Sequence, residues 1–395
     1  MFLTTTNLLH YLMGRGLVSA SAIVDGELCV VEAGRRNRNF KVLRTRKPGL
    51  FVKQISGAAP DAVATLHREA AFYTCVRDRP AFQPLAGLVP RLLHFEPSTC
   101  ALVVESHDGA ENLTEYHLRV GGYPAEVGAL IGDGLGRYHA HTARLLLEPA
   151  ELLAFPRQVP WILTTDPRTP SAAAALGHGG VALAALLQDY PHIVDHVRAV
   201  AQEWQFDCVI HGDMKWDNLL IFADGHGRQA LQVVDWELAD LGDAAWDVAS
   251  IFTAYLSFWI WASLTAAQQH EHEQQQEQQP QPRPPGAAAP PMPPAPRPDV
   301  NLAGTLEDTR PALLAFWRAY VAARAIEPSA AEAWLARGVR FCAARLLLAV
   351  FECLYNAPQI TAMTRAMLHV SHALFMHPER SLSDMLGTPA DRMRS

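Results

Sequence analysis

Apolar and polar positions change rhythm once along this chain, near residue 105. Before that point the apolar runs are short. Segments 27–32, 39–44 and 50–54 are β-prone and are separated by turn-like stretches at 34–38 and 47–49. They predict an antiparallel meander of three strands. Segment 62–76 places Val63, Leu66, Ala70 and Tyr73 on one helical face. Segments 91–96 and 101–105 predict two more strands around the Pro97-Ser98 turn. Thr6-Asn7 ahead of Leu8, Leu9, Tyr11 and Leu12 reads as a capped helix start.

From Ser106 onward the rhythm is mostly helical, with long apolar faces at 126–147, 313–325, 330–355 and 361–375. A strand–loop–strand region at 207–237 interrupts it. Segment 268–298 is rich first in Gln, Glu and His, then in Pro and Ala. Such a stretch cannot bury enough apolar area to offset its ordering entropy, so it is expected to be a disordered insertion in a surface connection. The fold class expected is α+β with two lobes. Residues 1–105 form a small lobe of antiparallel sheet plus helix, and residues 106–395 a larger helical lobe. No internal repeat is visible.

At 395 residues the chain has room for two lobes with ample cores. The net charge of -7 gives no reason to expect a nucleic-acid partner. None of the six cysteines has C-x-x-C spacing, which predicts reduced thiols in a cytoplasmic protein rather than a zinc or redox site. The N-terminus lacks the pattern of a signal peptide. Segment 248–267 is uncharged and near the length of a membrane span. Ser250, Thr253, Ser257, Ser263 and Thr265 dilute it and no basic cluster flanks it, so a buried helix of a soluble domain is expected and a membrane partner is not.

Candidate chemistry concentrates at Val209-Ile210-His211-Gly212-Asp213-Met214-Lys215-Trp216-Asp217-Asn218, followed by an apolar strand and Val234-Asp235-Trp236-Glu237. A loop Asp that takes a proton, with an Asn and an Asp able to bind a metal, is the set needed for metal-assisted phosphoryl transfer to a hydroxyl. Asp213 is assigned to orient the acceptor hydroxyl and accept its proton. Asn218 and Asp235 offer hard oxygens suited to Mg²⁺. Glu237 is either a further ligand or a surface carboxylate. His211 is expected to hold the loop by hydrogen bonds rather than to do acid–base chemistry. Lys53 ends an apolar strand and can reach phosphates, with Glu69 on the next helix as its orienting carboxylate. Arg35, Arg36 and Arg38 crowd the first turn, which lacks G-x-G-x-x-G. That turn either cups phosphates with guanidinium forks or is an ordinary solvated basic turn. Asp243 is expected to cap the helix that follows, and Asp247 to point back toward the Asp213 loop.

In this order, the parts resemble the aminoglycoside phosphotransferase and choline kinase group of the protein-kinase-like fold. H-G-D-M-K-W-D-N at 211–218 resembles its catalytic loop, V-D-W-E at 234–237 its metal segment, and V-K-Q with R-E-A its Lys53–Glu69 pair. The resemblance implies ATP and Mg²⁺ as cofactors, with a hinge at Glu105-Ser106-His107 whose backbone meets the adenine. The Arg-rich first loop departs from the family's Gly-rich one. Lys215 stands where Ser/Thr protein kinases carry a Lys beside the transferring phosphate. Arg337, Arg340, Arg345 and Arg365 on the late helices, with few carboxylates, count against an aminoglycoside acceptor. The stretch G-R-R-N-R-N-F-K-V is similar to kinase-like proteins of lanthipeptide-type clusters. Three readings therefore stand: a kinase of small hydroxyl compounds, a peptide Ser/Thr kinase working with a partner lyase or cyclase, and a non-catalytic kinase-like binding subunit.

Overall fold

The structure, a computed structural model, describes residues 2–33, 38–45, 47–55, 59–152, 154–277, 305–356 and 359–387. Two short helices, α1 (Leu8–Gly14) and α2 (Ala20–Val24), precede the strands β1 (Leu28–Glu32), β2 (Arg38–Arg44) and β3 (Gly49–Gln54). Helix α3 (Pro60–Asp78) follows, then the hairpin β4 (Leu92–Glu96) and β5 (Ala101–Ser106). The five strands form one antiparallel sheet in the order β1-β2-β3-β5-β4. Strand alternation divides β3 between two environments. Leu50 and Val52 join Phe40, Val42 and Val103 in a small core under α1, while Phe51 and Lys53 face the other side, toward α3.

Beyond β5 the chain is mainly helical. β6 (Glu111–Asn112) leads into α4 (Leu113–Val120), whose start is fixed by a capping box between Asn112 and Glu115. Helix α5 (Ala125–Arg144) is followed by shorter helices α6 (Trp161–Thr164), α7 (Pro170–Ala175), α8 (Gly177–Leu186) and α9 (Ile193–Gln202). Strands β7 (Cys208–Ile210), β8 (Leu219–Ala223), β9 (Gln229–Val233) and β10 (Asp240–Gly242) come next. They pair as β10-β7 and β6-β8-β9, so the segment expected to carry the chemistry lies between two small sheets. Long helices complete the lobe: α10 (Ala244–Glu277), α11 (Leu306–Arg324), α12 (Pro328–Asn356), α13 (Ala362–Met376) and α14 (Pro378–Leu386).

Helices α5 and α11 touch backbone to backbone. Gly128, Gly132 and Gly136 lie one helical turn apart along the seam. A Cβ at Gly132 would stand 2.1 Å from the Phe316 carbonyl oxygen, and one at Gly128 would stand 2.2 Å from that of Ala312. Helix α10 has the length and hydropathy to cross a membrane, yet 61% of its most apolar window is buried, where it packs on α11, α12 and α13.

One expectation changes. Residues 268–277, placed in the disordered insertion, continue α10 as helix. Gln and Glu are good helix formers, and extending an existing helix avoids the cost of nucleation. Residues 278–304 lie outside the described residues. Among the late arginines, several have acidic partners from elsewhere in the chain. Arg337 turns inward to Asp243 at 2.9 Å, and Arg340 pairs with Glu203 at 2.6 Å.

Candidate active site

Three carboxylates converge on Lys53. Its Nζ lies 2.8 Å from Glu69, 2.5 Å from Asp235 and 3.0 Å from Glu237. Glu69 sits on the buried face of α3 with Leu66, Ala70 and Tyr73, and the Tyr73 hydroxyl donates to its second oxygen at 3.0 Å. Burial alone would lower the pKa of Lys53, but the three carboxylates more than offset it and hold the ammonium charged. Burial pushes Glu69 up to about 7, against the pull of Lys53. Glu237 thus faces the same centre as Asp235 rather than open solvent, and oxygens of Glu69, Asp235 and Glu237 lie within 4.8 Å of one another.

Asp235 adopts a left-handed backbone, with φ 67° and ψ 53°. For a non-glycine residue this costs on the order of 1–3 kcal/mol, and it aims the carboxylate at Lys53 where an extended chain would carry it past. Trp236 locks the turn. It is fully buried, stacks on Phe72 at 4.0 Å and donates from Nε1 to the Val233 carbonyl at 2.8 Å.

The 211–218 loop is held from below by Asp247 in the first turn of α10. This fully buried carboxylate accepts from the backbone of His211 at 2.7 Å and of Gly212 at 2.9 Å, and from His139 Nε2 at 3.1 Å. Gly212 has φ 83° and lies against Leu238, where a Cβ would meet a carbonyl oxygen at 2.8 Å. His211 has no part to spare for proton transfer. Its Nε2 donates to the Val234 carbonyl at 2.9 Å, and its Nδ1 accepts from the Asp213 amide at 3.2 Å. The hydrogen-bonding role expected of His211 is the one it has. Asp243 likewise caps α10, accepting from the Ala245 amide at 2.9 Å.

Asp213 is gripped on both oxygens. Arg345 of α12 donates to Oδ1 at 2.6 Å, and Lys215 to Oδ2 at 2.5 Å. Burial would raise this carboxyl, but Arg345 and Lys215 overcome it and hold its pKa at about 2. Each carboxylate oxygen has two acceptor directions, so the pair leaves capacity for an incoming hydroxyl. Lys215 is half exposed while Arg345 is buried, so the first partner is displaceable and the second is fixed. The Arg345 guanidinium also donates to Ser250 at 3.2 Å and to Glu352 at 3.1 Å. Asn218 donates from Nδ2 to the Asp213 carbonyl at 2.9 Å, and its own carbonyl accepts from the Val234 amide at 2.9 Å, tying this loop to the Asp235 turn. Those bonds do not consume the amide oxygen it would offer a metal.

A cavity of about 410 Å³ opens beside this loop. Lys215 and Arg345, the two residues that grip Asp213, form part of its wall, with Ser250, Ser257, Phe258 and Trp261 of α10.

The family model described as phosphotransferase enzyme family, APH, matches residues 27–284, about two thirds of the chain. The chain belongs to the APH phosphotransferase family. Among solved structures, a choline kinase from Cryptosporidium parvum Iowa II is similar in fold, with a TM-score of 0.54 at 10% identity, covering 96% of both chains. An aminoglycoside 2'-phosphotransferase-IIIa in its GDP complex gives a TM-score of 0.50 at 14% identity, covering 93% of this chain and 99% of that one. At these identities the likeness shows the two-lobed protein-kinase-like fold. No curated protein sequence matches the chain.

Within this APH-family site the remaining expected residues are distributed unevenly. Arg36 lies outside the described residues, as does Arg35. Glu105 turns its side chain to Arg91 at 2.8 Å and its backbone amide to the Arg91 carbonyl at 2.9 Å. Its side chain and its amide are thus both engaged by Arg91 in this structure. The His107 ring stacks on Phe222 of β8 at 3.9 Å. Sequence reasoning missed the grip of Arg345 on Asp213. A signal was present, since this single charge interrupts the apolar run 341–350. It also read the Ser and Thr residues of α10 only as dilution, whereas Ser250, Thr253 and Ser257, at helical spacing, line the cavity.

Proposed function

We propose that this phosphotransferase moves the γ-phosphoryl group of ATP, with Mg²⁺, to a hydroxyl of an acceptor bound in the 410 Å³ cavity. The observation that carries this reading is the shared border of that cavity with Asp213. Lys215 and Arg345 both wall the cavity and bond the carboxylate. The donor set fits the cofactor. The Asp235 carboxylate and the Asn218 amide are hard oxygen ligands, and the convergence of Glu69, Asp235 and Glu237 shows that this centre already favours positive charge. Asp235 and Asn218 would hold the metal, which would supply charge neutralisation to the phosphates.

The chain's own residues supply the rest. Asp213 is ionised at neutral pH, so it accepts a hydrogen bond from the acceptor hydroxyl and orients it in line. The hydroxyl oxygen bonds to the γ-phosphorus, the bond to the β–γ bridging oxygen breaks, ADP departs, and the hydroxyl proton passes to Asp213. Lys53, held by Glu69, presents its ammonium to the phosphates. Lys215 lies next to the point where charge develops on the transferring group. His211, Asp247 and Arg345 hold the loop so that it does not reorganise during the step.

Asp213→Asn is expected to lower turnover roughly 10²–10⁴-fold while Mg·ATP binding persists, as for loss of a general base. Turnover equal to that of the unaltered enzyme would overturn the role of Asp213. Mass spectrometry of candidate acceptors for an added phosphate tests the reaction itself. The second reading is a peptide Ser/Thr acceptor in lanthipeptide-type chemistry, with a partner lyase or cyclase. Lys215 beside Asp213 favours it, whereas a walled cavity rather than a long groove favours a small acceptor.

A further inference from the structure

The family match ends at residue 284, so α12 and α13, which close one side of the cavity, lie beyond it. The selectivity of the cavity has to be read from its own wall. That wall contains two cations, Lys215 and Arg345, and two carboxylates, Asp217 and Glu352, so its formal charges cancel. Three of the four are ion-paired within the protein, and the fourth, the exposed Asp217, takes a hydrogen bond from a neutral hydroxyl. Lys215 is held on Asp213 at 2.5 Å. Arg345, with its side chain 5% exposed, spans Asp213 and Glu352 at 2.6 and 3.1 Å. Asp217 accepts from the Thr114 hydroxyl at 3.0 Å.

The uncharged polar groups are spent in the same way. Ser250 donates to the Trp246 carbonyl at 2.9 Å and accepts from Arg345. Thr253 sits 3.5 Å from the Cys342 carbonyl and 3.4 Å from its sulfur. Three of the four hydroxyls on the wall, those of Thr114, Ser250 and Thr253, therefore have internal partners. The remaining surface is broad and apolar, with Trp261 and Phe258 side by side at 5.2 Å and Leu118 and Met363 also lining the space. A polycation binding here would compete with Arg345 for the half-exposed Glu352, while the guanidinium would keep Asp213 at 2.6 Å. An uncharged ligand disturbs no ion pair and gains the full apolar contact.

We propose that the acceptor of this cavity is an electrically neutral, mainly apolar alcohol of drug-like size rather than a polyamine sugar or a quaternary ammonium alcohol. This rests on the phosphotransfer reading above for its chemistry, but not for its binding. The test is calorimetry on the full chain without nucleotide. Chloramphenicol and 6-deoxyerythronolide B serve as neutral alcohols, and kanamycin and choline as cationic ones. At least one neutral probe is expected to bind about tenfold or more tighter than either cation. Ser257→Trp, which fills the space beside Phe258, is expected to weaken that binding at least about tenfold. Ala349→Asp, which adds an uncommitted carboxylate, is expected to shift preference toward kanamycin. It provides a second check should the bulky variant fail to fold.

Tighter binding of kanamycin or choline, or no binding of either neutral probe up to about 1 mM, overturns the proposal. A neutral probe that binds but gains no phosphate from Mg·ATP, while ATP itself binds, overturns its role as acceptor. Absence of Mg·ATP binding in the same samples counts against the phosphotransfer reading alone, because acceptor binding is measured without nucleotide.

Discussion

Arg345→Gln should separate the two jobs that meet in the Asp213 carboxylate, folding and turnover. In the native protein Arg345 is buried and donates to Asp213 at 2.6 Å, Glu352 at 3.1 Å and Ser250 at 3.2 Å. Opposite charges about 4 Å apart attract by about 4 kcal/mol at an effective dielectric near 20. Removing one member of a buried pair typically costs about 3–5 kcal/mol. Asp213 retains Lys215 at 2.5 Å, which places the loss near the lower end. The depression of the Asp213 pKa from 3.8 to about 2, net of burial and shared by Arg345 and Lys215, is of the same order, roughly 2 kcal/mol.

A loss of about 3 kcal/mol corresponds to a fall in melting temperature of roughly 6 °C, at about 2 °C per kcal/mol for a large domain. Freed on one side, Asp213 should sample other rotamers, and a misplacement of about 1 Å costs on the order of 10²-fold in turnover. The KM for Mg·ATP should barely change, since Arg345 lies on the acceptor side of the loop. Arg345→Lys should restore part of both effects, because an ammonium can hold one carboxylate but lacks the fork that spans two. Thermal unfolding and steady-state kinetics with an identified acceptor decide the matter. A variant with the parent's kcat and a melting point within about 1 °C of it would show that the grip on Asp213 is incidental.

The remaining predictions concern other parts of the molecule. Asp235→Ala should abolish the Mg²⁺ dependence of ATP binding, and calorimetry with and without the metal would show it. Gly132→Ala puts a methyl 2.1 Å from the Phe316 carbonyl and should cost at least about 3 kcal/mol, measured by urea unfolding. His117 is buried, its Nδ1 lies 2.9 Å from the Gly122 carbonyl, and burial lowers its pKa from 6.5 to about 4. The unfolded chain therefore takes up this proton first. Stability should be unaffected by His117 above pH about 6.5, should fall as pH drops, and should have lost up to about 3 kcal/mol by pH about 4. In His117→Gln that component should disappear from the pH dependence of the urea midpoint. An identical acid profile in the variant would remove His117 as its source.

Much of the fold was legible because its signals are local. Alternation in 39–54, turn residues at 47–49 and the helical face of 62–76 each speak within a few residues. The 211–218 loop was legible for the same reason, since its chemistry-bearing residues are close in sequence. Lys53 and Glu69 could be paired because one strand and the next helix carry them. Arg345 could not be placed, because its partner Asp213 is 132 residues away and helical periodicity says nothing about which loop a helix will meet. The late arginines looked alike as sequence, yet packing sends Arg337 to Asp243, Arg340 to Glu203 and Arg345 to Asp213. The end of α10 was misjudged for a different reason. Composition weighs a segment alone, whereas 268–277 extend a helix that tertiary packing has already nucleated.

Helix α10 holds the loop through Asp247 in its first turn and walls the cavity through Ser250, Ser257 and Trp261 over the next four turns. One rigid rod thus serves both as the loop's footing and as the acceptor's template. A ligand that fits the wall poorly pushes on the same helix that fixes Asp213, so poor fit is felt at the reacting oxygen and not only in affinity. Among acceptors that bind equally well, discrimination should consequently appear in kcat. Redesign of this cavity through α10 would trade selectivity against rate, whereas changes on α4 or α13, at Leu118 or Met363, would leave the footing of the loop alone.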